Sequence, residues 1–143
     1  MMICLILTTV FLCLLSISDI RTRTIPGWAA PLFGAAVIIL HLVRSDLTIP
    51  QMLAGLIPGA VLVFLSLAFR SSLGAGDGFV VMACGAALGA ERTFAALTAA
   101  LVLCAVFCVF LLVLKKARRS DCLPFLPFLA ASHIVMLVAE VIL

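Results

Sequence analysis

Two aspartates, Asp19 and Asp77, each stand where a long apolar run meets a short polar stretch, in a chain of 143 residues with only six acidic side chains. An ionisable group near hydrocarbon costs a few kcal/mol, so such residues face a wet cavity or one another and are functional candidates by default. Two carboxyl groups brought close cannot both ionise readily, and they come to share a proton. That pair suits aspartic proteolysis. The ionised member draws a proton from a water, and the protonated member donates to the carbonyl oxygen under attack. Taken singly, each aspartate also has a structural reading: Asp19 as an interfacial cap or a partner of Arg21 or Arg23, Asp77 as a helix N-cap in front of Gly78.

Each aspartate has a distinctive neighbourhood. In "SDIRTRTIPGW", Pro26 favours a helix start and biases Ile25 toward an extended conformation. In "LGAGDGF", Gly74, Gly76 and Gly78 surround Asp77. Without Cβ atoms they open torsions closed to other residues and let an extended peptide approach the main chain.

The elements that must position these residues follow from composition. With 66% hydrophobic and 10% charged residues and a mean hydropathy of +1.44, the chain has too little polar surface to wrap a water-soluble domain of its length. Six apolar segments can be marked: Met2 to Ser18, Ile25 to Val43, Ile49 to Phe69, Gly78 to Ala90, Thr93 to Leu114 and Leu123 to Leu143. Most approach the roughly 20 residues that cross about 30 Å of hydrocarbon, and the fourth is short. The expected fold is all-α: a polytopic membrane protein of about six transmembrane helices, forming one domain over residues 1–143. No Lys or Arg precedes the first run and no small-residue cleavage pattern follows it, so the first span is expected to remain.

If the spans alternate, Arg21, Arg23, Arg70, Lys115, Lys116, Arg118 and Arg119 share one side, leaving Arg44 and Arg92 on the other. The positive-inside rule then places the larger set in the cytoplasm and both termini outside. Parity brings Asp19 and Asp77 to the same cytoplasmic edge. Asp46 and Glu91 fall on the outer side, Asp121 in the basic loop and Glu140 near the outer end of the last span.

The remaining residues support smaller expectations. The six cysteines show no CxxC pair, and buried thiols away from positive charge are inert. There is no HExxH pair for a membrane zinc protease, and Ser71, Ser72 and Ser132 have no supporting motif for a serine protease; neither a metal nor another cofactor is expected. The net charge of +3 reads as an orientation signal, with "KKARRSD" touching anionic lipid headgroups, rather than as a nucleic-acid surface. Gly55 with Gly59, and Gly85 with Gly89, form GxxxG pairs suited to packing within the monomer. His133 is expected to be a hydrogen-bonded structural histidine. Phe125 and Phe128 are expected to pack, with Pro124 and Pro127 loosening the start of the last span.

With Asp19, Ile25 and Pro26 matching D-x-x-x-x-x-I-P, and Gly74, Gly76 and Asp77 matching G-x-G-D, the chain resembles the type IV prepilin peptidase family of GxGD aspartic proteases. A late "PFxPFLA" stretch is also similar, here Pro124, Phe125, Pro127, Phe128, Leu129 and Ala130, with Leu126 where the family has a glycine. Gly78 and Phe79 stand where many members carry a lysine. The paired CxxC domain of bifunctional relatives, which methylates the new N-terminus, has no counterpart, so the chain looks like the short, peptidase-only members. The resemblance implies a membrane aspartic endopeptidase with Asp19 and Asp77 catalytic, cutting a short basic leader from prepilin or pseudopilin-like precursors at the cytoplasmic face, just before the precursor's hydrophobic N-terminal helix. The competing reading is a small transporter or channel component using the same aspartates as proton or cation sites. It requires polar residues at several depths, which most spans lack.

Overall fold

The computed structural model describes residues 2–22, 27–44, 47–69, 75–114 and 124–142. Ile25, Pro26 and Gly74 lie outside the described residues, as do Asp46, Asp121, Cys122 and the basic residues Arg23, Arg70, Lys115, Lys116, Arg118 and Arg119. Among the described residues there are six α-helices and no strand: α1 Met2–Thr22, α2 Ala29–Arg44, α3 Ile49–Phe69, α4 Ala75–Leu88, α5 Ala90–Val113 and α6 Leu126–Ile142. The all-helical expectation therefore holds. Helices α1, α3 and α5 are long and apolar enough to cross a membrane, whereas α2, α4 and α6 are apolar but shorter.

Several boundaries differ from the hydropathy reading. Helix α1 continues past Ser18 to Thr22, and α4 begins three residues earlier than Gly78. The fourth and fifth helices are separated by Gly89 alone, so Glu91 and Arg92 lie within the first turn of α5 rather than in a loop. Gly89 makes this reversal possible with φ 81° and ψ 173°, a region nearly closed to residues with a Cβ. Its carbonyl accepts from both the Thr93 N–H (3.3 Å) and the Thr93 hydroxyl (2.8 Å). Helix α3 opens on one half of a capping box, in which Gln51 Oε1 accepts from the Thr48 N–H at 3.0 Å and also from the Thr48 hydroxyl at 2.9 Å.

The short α4 is the hub. It packs against α1, α2, α3 and α5, while α6 packs against α1 and α5. Nearly every residue from Val80 to Leu88 is buried, and only Met82 is half-exposed. Its contact with α3 is backbone against backbone: a Cβ on Gly55 would overlap the Gly85 carbonyl, and one on Gly59 would lie 2.7 Å from the Gly78 oxygen. The GxxxG glycines of α3 thus serve packing within the chain, as expected. Of the second pair, Gly85 packs and Gly89 turns the chain.

Helix α1 buries a stripe comprising Cys4, Leu5, Thr8, Leu12, Leu15, Ser16 and Asp19, the i, i+3, i+4 repeat of one face. Two apolar clusters result. One joins Leu12 and Leu15 to Val80, Val81, Phe125, Leu126 and Leu129, and the other joins Cys4 and Leu5 to Val37, Ala86, Ala87 and Leu88. At the second end, Arg92 of α5 and Glu140 of α6 form an ion pair. The outward faces carry Leu14, Ile39, Phe64, Val106 and Val135, all exposed, as expected of helices set in hydrocarbon. Among the described residues, no disulfide joins the five cysteines.

Candidate active site

Three helix ends meet at the first cluster: the C-terminal end of α1 and the starts of α4 and α6. Asp19 lies one turn from the end of α1, on its buried stripe, and is 8% exposed. Asp77 lies in the first turn of α4 and is half-buried. The two carboxyl groups are close enough to interact electrostatically across the α1–α4 contact. The sequence pairing of Asp19 with Asp77 is therefore a spatial pairing.

Asp77 is not an N-cap before Gly78, because the helix already runs from Ala75. As an acidic residue in a first turn it still faces the positive end of the α4 dipole. Gly76 and Gly78 are helical, and among the described residues only Gly89 has a positive φ, so the unusual torsions anticipated at these two glycines are not used. Gly78 instead makes room for α3: a Cβ there would lie 2.9 Å from the Val63 nitrogen.

The third element was missed by sequence reasoning. The Leu126 backbone N–H donates a hydrogen bond to the Asp19 carboxylate. Leu126 is the first residue of α6, whose opening N–H groups have no partner within the helix. Phe125, just before it, supplies the carbonyl that accepts from the N–H groups of Phe128 (3.0 Å) and Leu129 (3.2 Å). Pro127 sits in the first turn, where its missing N–H leaves no helical bond unmade. The signal in the sequence was the proline-flanked helix start itself. Because the donor is main chain, the change from the family's glycine to Leu126 keeps it. The Leu126 side chain is fully buried, and Phe125 is 7% exposed in the same cluster. Phe128 is half-buried and packs on Phe107, with ring centroids 5.4 Å apart. Pro124 is described at the site's edge, half-buried.

His133 departs from expectation. It is 1% exposed on the buried side of α6, and neither ring nitrogen has a hydrogen-bond partner among the described residues.

The fold and this end of it define a class: an all-helical protein with apolar helices of membrane-crossing length and two buried or half-buried acidic groups brought together where helices end. The chain matches the type IV leader peptidase family over residues 6–109, a span that contains both aspartates and ends before Pro124. It belongs to that family and is a peptidase of it. No curated protein and no solved structure matches the chain significantly.

Proposed function

We propose that this chain is an aspartic endopeptidase of the cell membrane, acting through residues 1–143 as a single transmembrane domain. It cuts the short basic leader from type IV prepilin or pseudopilin-like precursors, with Asp19 and Asp77 as the catalytic pair. The observation that carries this reading is the electrostatic interaction of Asp19 with Asp77 across the packed α1 and α4, where three helix ends converge. Family membership supports the substrate class.

In this mechanism the two carboxyl groups share one proton. The ionised member accepts a proton from a water whose oxygen bonds to the scissile carbonyl carbon, and the other member gives its proton to the carbonyl oxygen. The tetrahedral diol then collapses. Its C–N bond breaks as the nitrogen takes a proton from one aspartate and the other aspartate draws a proton from a diol hydroxyl, leaving a carboxyl on the leader, an amine on the precursor and one proton on the dyad. The Leu126 N–H holds the Asp19 carboxyl in place through both steps. Gly76, in the first turn of α4 beside Asp77, leaves room for the extended leader to approach.

The charge bias of the loops supports an active site at the cytoplasmic face, with both termini outside and the helices held in membrane lipid. Helix α4, at 14 residues, covers about 21 Å, less than the roughly 30 Å hydrocarbon core. A short hub helix of this kind lets water reach a first-turn aspartate. The test is processing of a co-expressed leader-bearing precursor by Asp19→Asn and Asp77→Asn separately. Each is expected to lose about 10³-fold, within the range for general acid–base catalysis. Wild-type processing in either variant overturns the dyad.

A further inference from the structure

Helices α2 and α3 both rest on α4, with an apolar cleft left between them. It consists of two cavities of about 330 and 320 Å³ that adjoin at Ile38, Leu56 and Ala86, one following the other along α2. The wall runs from Ala30 to His41, twelve residues separated by eleven rises of 1.5 Å, or about 16 Å. At one end it reaches Phe79, two residues from Asp77. Ile38, Leu53 and Phe79 are each about half exposed or more, so the groove opens sideways to the surroundings of the bundle.

Its α2 wall is built for a close neighbour. A Cβ on Gly34 would meet nothing within 4 Å, in contrast to Gly55, Gly59, Gly78 and Gly85, whose missing Cβ atoms are already filled by α3 or α4. Small residues facing empty space let another helix bring its backbone near. Among the described residues, the only polar side chain lining the groove is His41, 3% exposed. Its Nε2 lies 3.0 Å from the Ala87 carbonyl, which only accepts, so Nε2 carries the hydrogen and Nδ1 is left as an acceptor. Nδ1 has no partner among the described residues. A second groove, between α1 and α2, is a poorer seat, because the stacked rings of Phe11 and Phe33 (centroids 4.0 Å apart) tie those two helices together partway along.

We propose that the cleft between α2 and α3 is where the precursor's apolar helix lies while its leader is cut. The inference rests on the peptidase reading above and adds the path of the substrate. Phe79 is about 200° around α4 from Asp77, since each residue advances a helix by roughly 100°. The precursor therefore leaves its helical form at the Phe79 end and passes over the start of α4 in extended form. Crossing a helix about 10 Å wide takes roughly three extended residues at 3.3 Å each. Gly76 in that first turn keeps the passage low.

The experiment places a photo-crosslinking side chain at Gly34, in the cleft, and at Leu32 and Val106, on other exposed faces, in the full chain in lipid vesicles with a leader-bearing precursor. An adduct with the precursor's apolar helix from position 34 alone is expected. Adducts with lipid only, or equal precursor adducts from all three positions, overturn the proposal. In parallel, Gly34→Leu projects a side chain into the groove from a position where an added Cβ meets nothing within 4 Å. It is expected to lower processing at least about tenfold, as disruption of a single central interface residue does, with the thermal midpoint unchanged. Unchanged processing overturns the proposal. Processing by the unaltered chain is scored in the same vesicles. Adducts from position 34 without any processing would sink the peptidase reading and leave the docking site standing.

Discussion

Gly55 of α3 and Gly85 of α4 meet main chain to main chain, with the Gly85 carbonyl carbon only 2.6 Å from where a Gly55 Cβ would stand. Neither neighbour is a flexible side-chain tip that could move aside. Gly85→Ala is therefore expected to force the two helices apart and cost about 1–3 kcal/mol, the usual scale of overpacking. Gly27→Ala, where a Cβ meets nothing within 4 Å, is expected to stay within about 0.5 kcal/mol of the parent. Thermal unfolding in detergent micelles separates the two, and an equal response at both positions would remove the glycine contact as the reason α3 and α4 pack.

The bond from Leu126 to Asp19 is made by main chain, so side-chain and backbone changes at this position should part company. Leu126→Ala keeps the N–H and is expected to cost about 2–5 kcal/mol of stability through the cavity it leaves, with kcat nearly retained. Leu126→Pro removes the donor at a position where proline is tolerated by a helix, and is expected to lower kcat further than Ala does. If kcat follows stability alone in both variants, the N–H does not position Asp19.

A dyad that must supply one acid and one base works only while a single proton is shared between them. Processing measured against pH is expected to rise and then fall, a bell whose limbs belong to the pair rather than to either aspartate. A profile with one limb over the range where the protein stays folded would argue for a single titrating group.

His133 is buried with both ring nitrogens unpartnered among the described residues, and an unmet buried polar group costs about 1–3 kcal/mol. Replacing it by an apolar side chain of similar reach removes that cost. His133→Leu is expected to raise the thermal midpoint, and a drop would mean that the ring has a partner in the membrane-embedded protein.

Arg92 and Glu140 join the start of α5 to the end of α6, their side chains 25% and 28% exposed. A pair this open is expected to contribute about 1 kcal/mol or less. In a double-mutant cycle, Arg92→Gln with Glu140→Gln should be no less stable than the worse single variant. Strict additivity would show the two groups to be energetically independent.

Much of this architecture was legible in the residues alone. Apolar runs dictated helices, because backbone groups in hydrocarbon must find partners within their own segment. The number of runs then fixed which ends share a side, and so brought Asp19 and Asp77 to one end of the bundle before any packing was known. The candidate pair was legible too, since acidic side chains are rare enough in such a chain that each stands out. The exact ends were not: α1 outran its apolar stretch, and Glu91 and Arg92 proved helical because Gly89 alone can turn the chain.

What only the tertiary structure decided is rotation. Beyond Asp77, helix α4 is apolar all round, so nothing in its own sequence says which side packs on α1, that Gly85 faces α3 or that Phe79 lines the cleft. Those choices depend on backbone contacts such as Gly55 with Gly85, made between residues thirty positions apart. The same holds for the donor to Asp19, a main-chain group that no side-chain pattern can announce, set in reach only when α6 docks against α1.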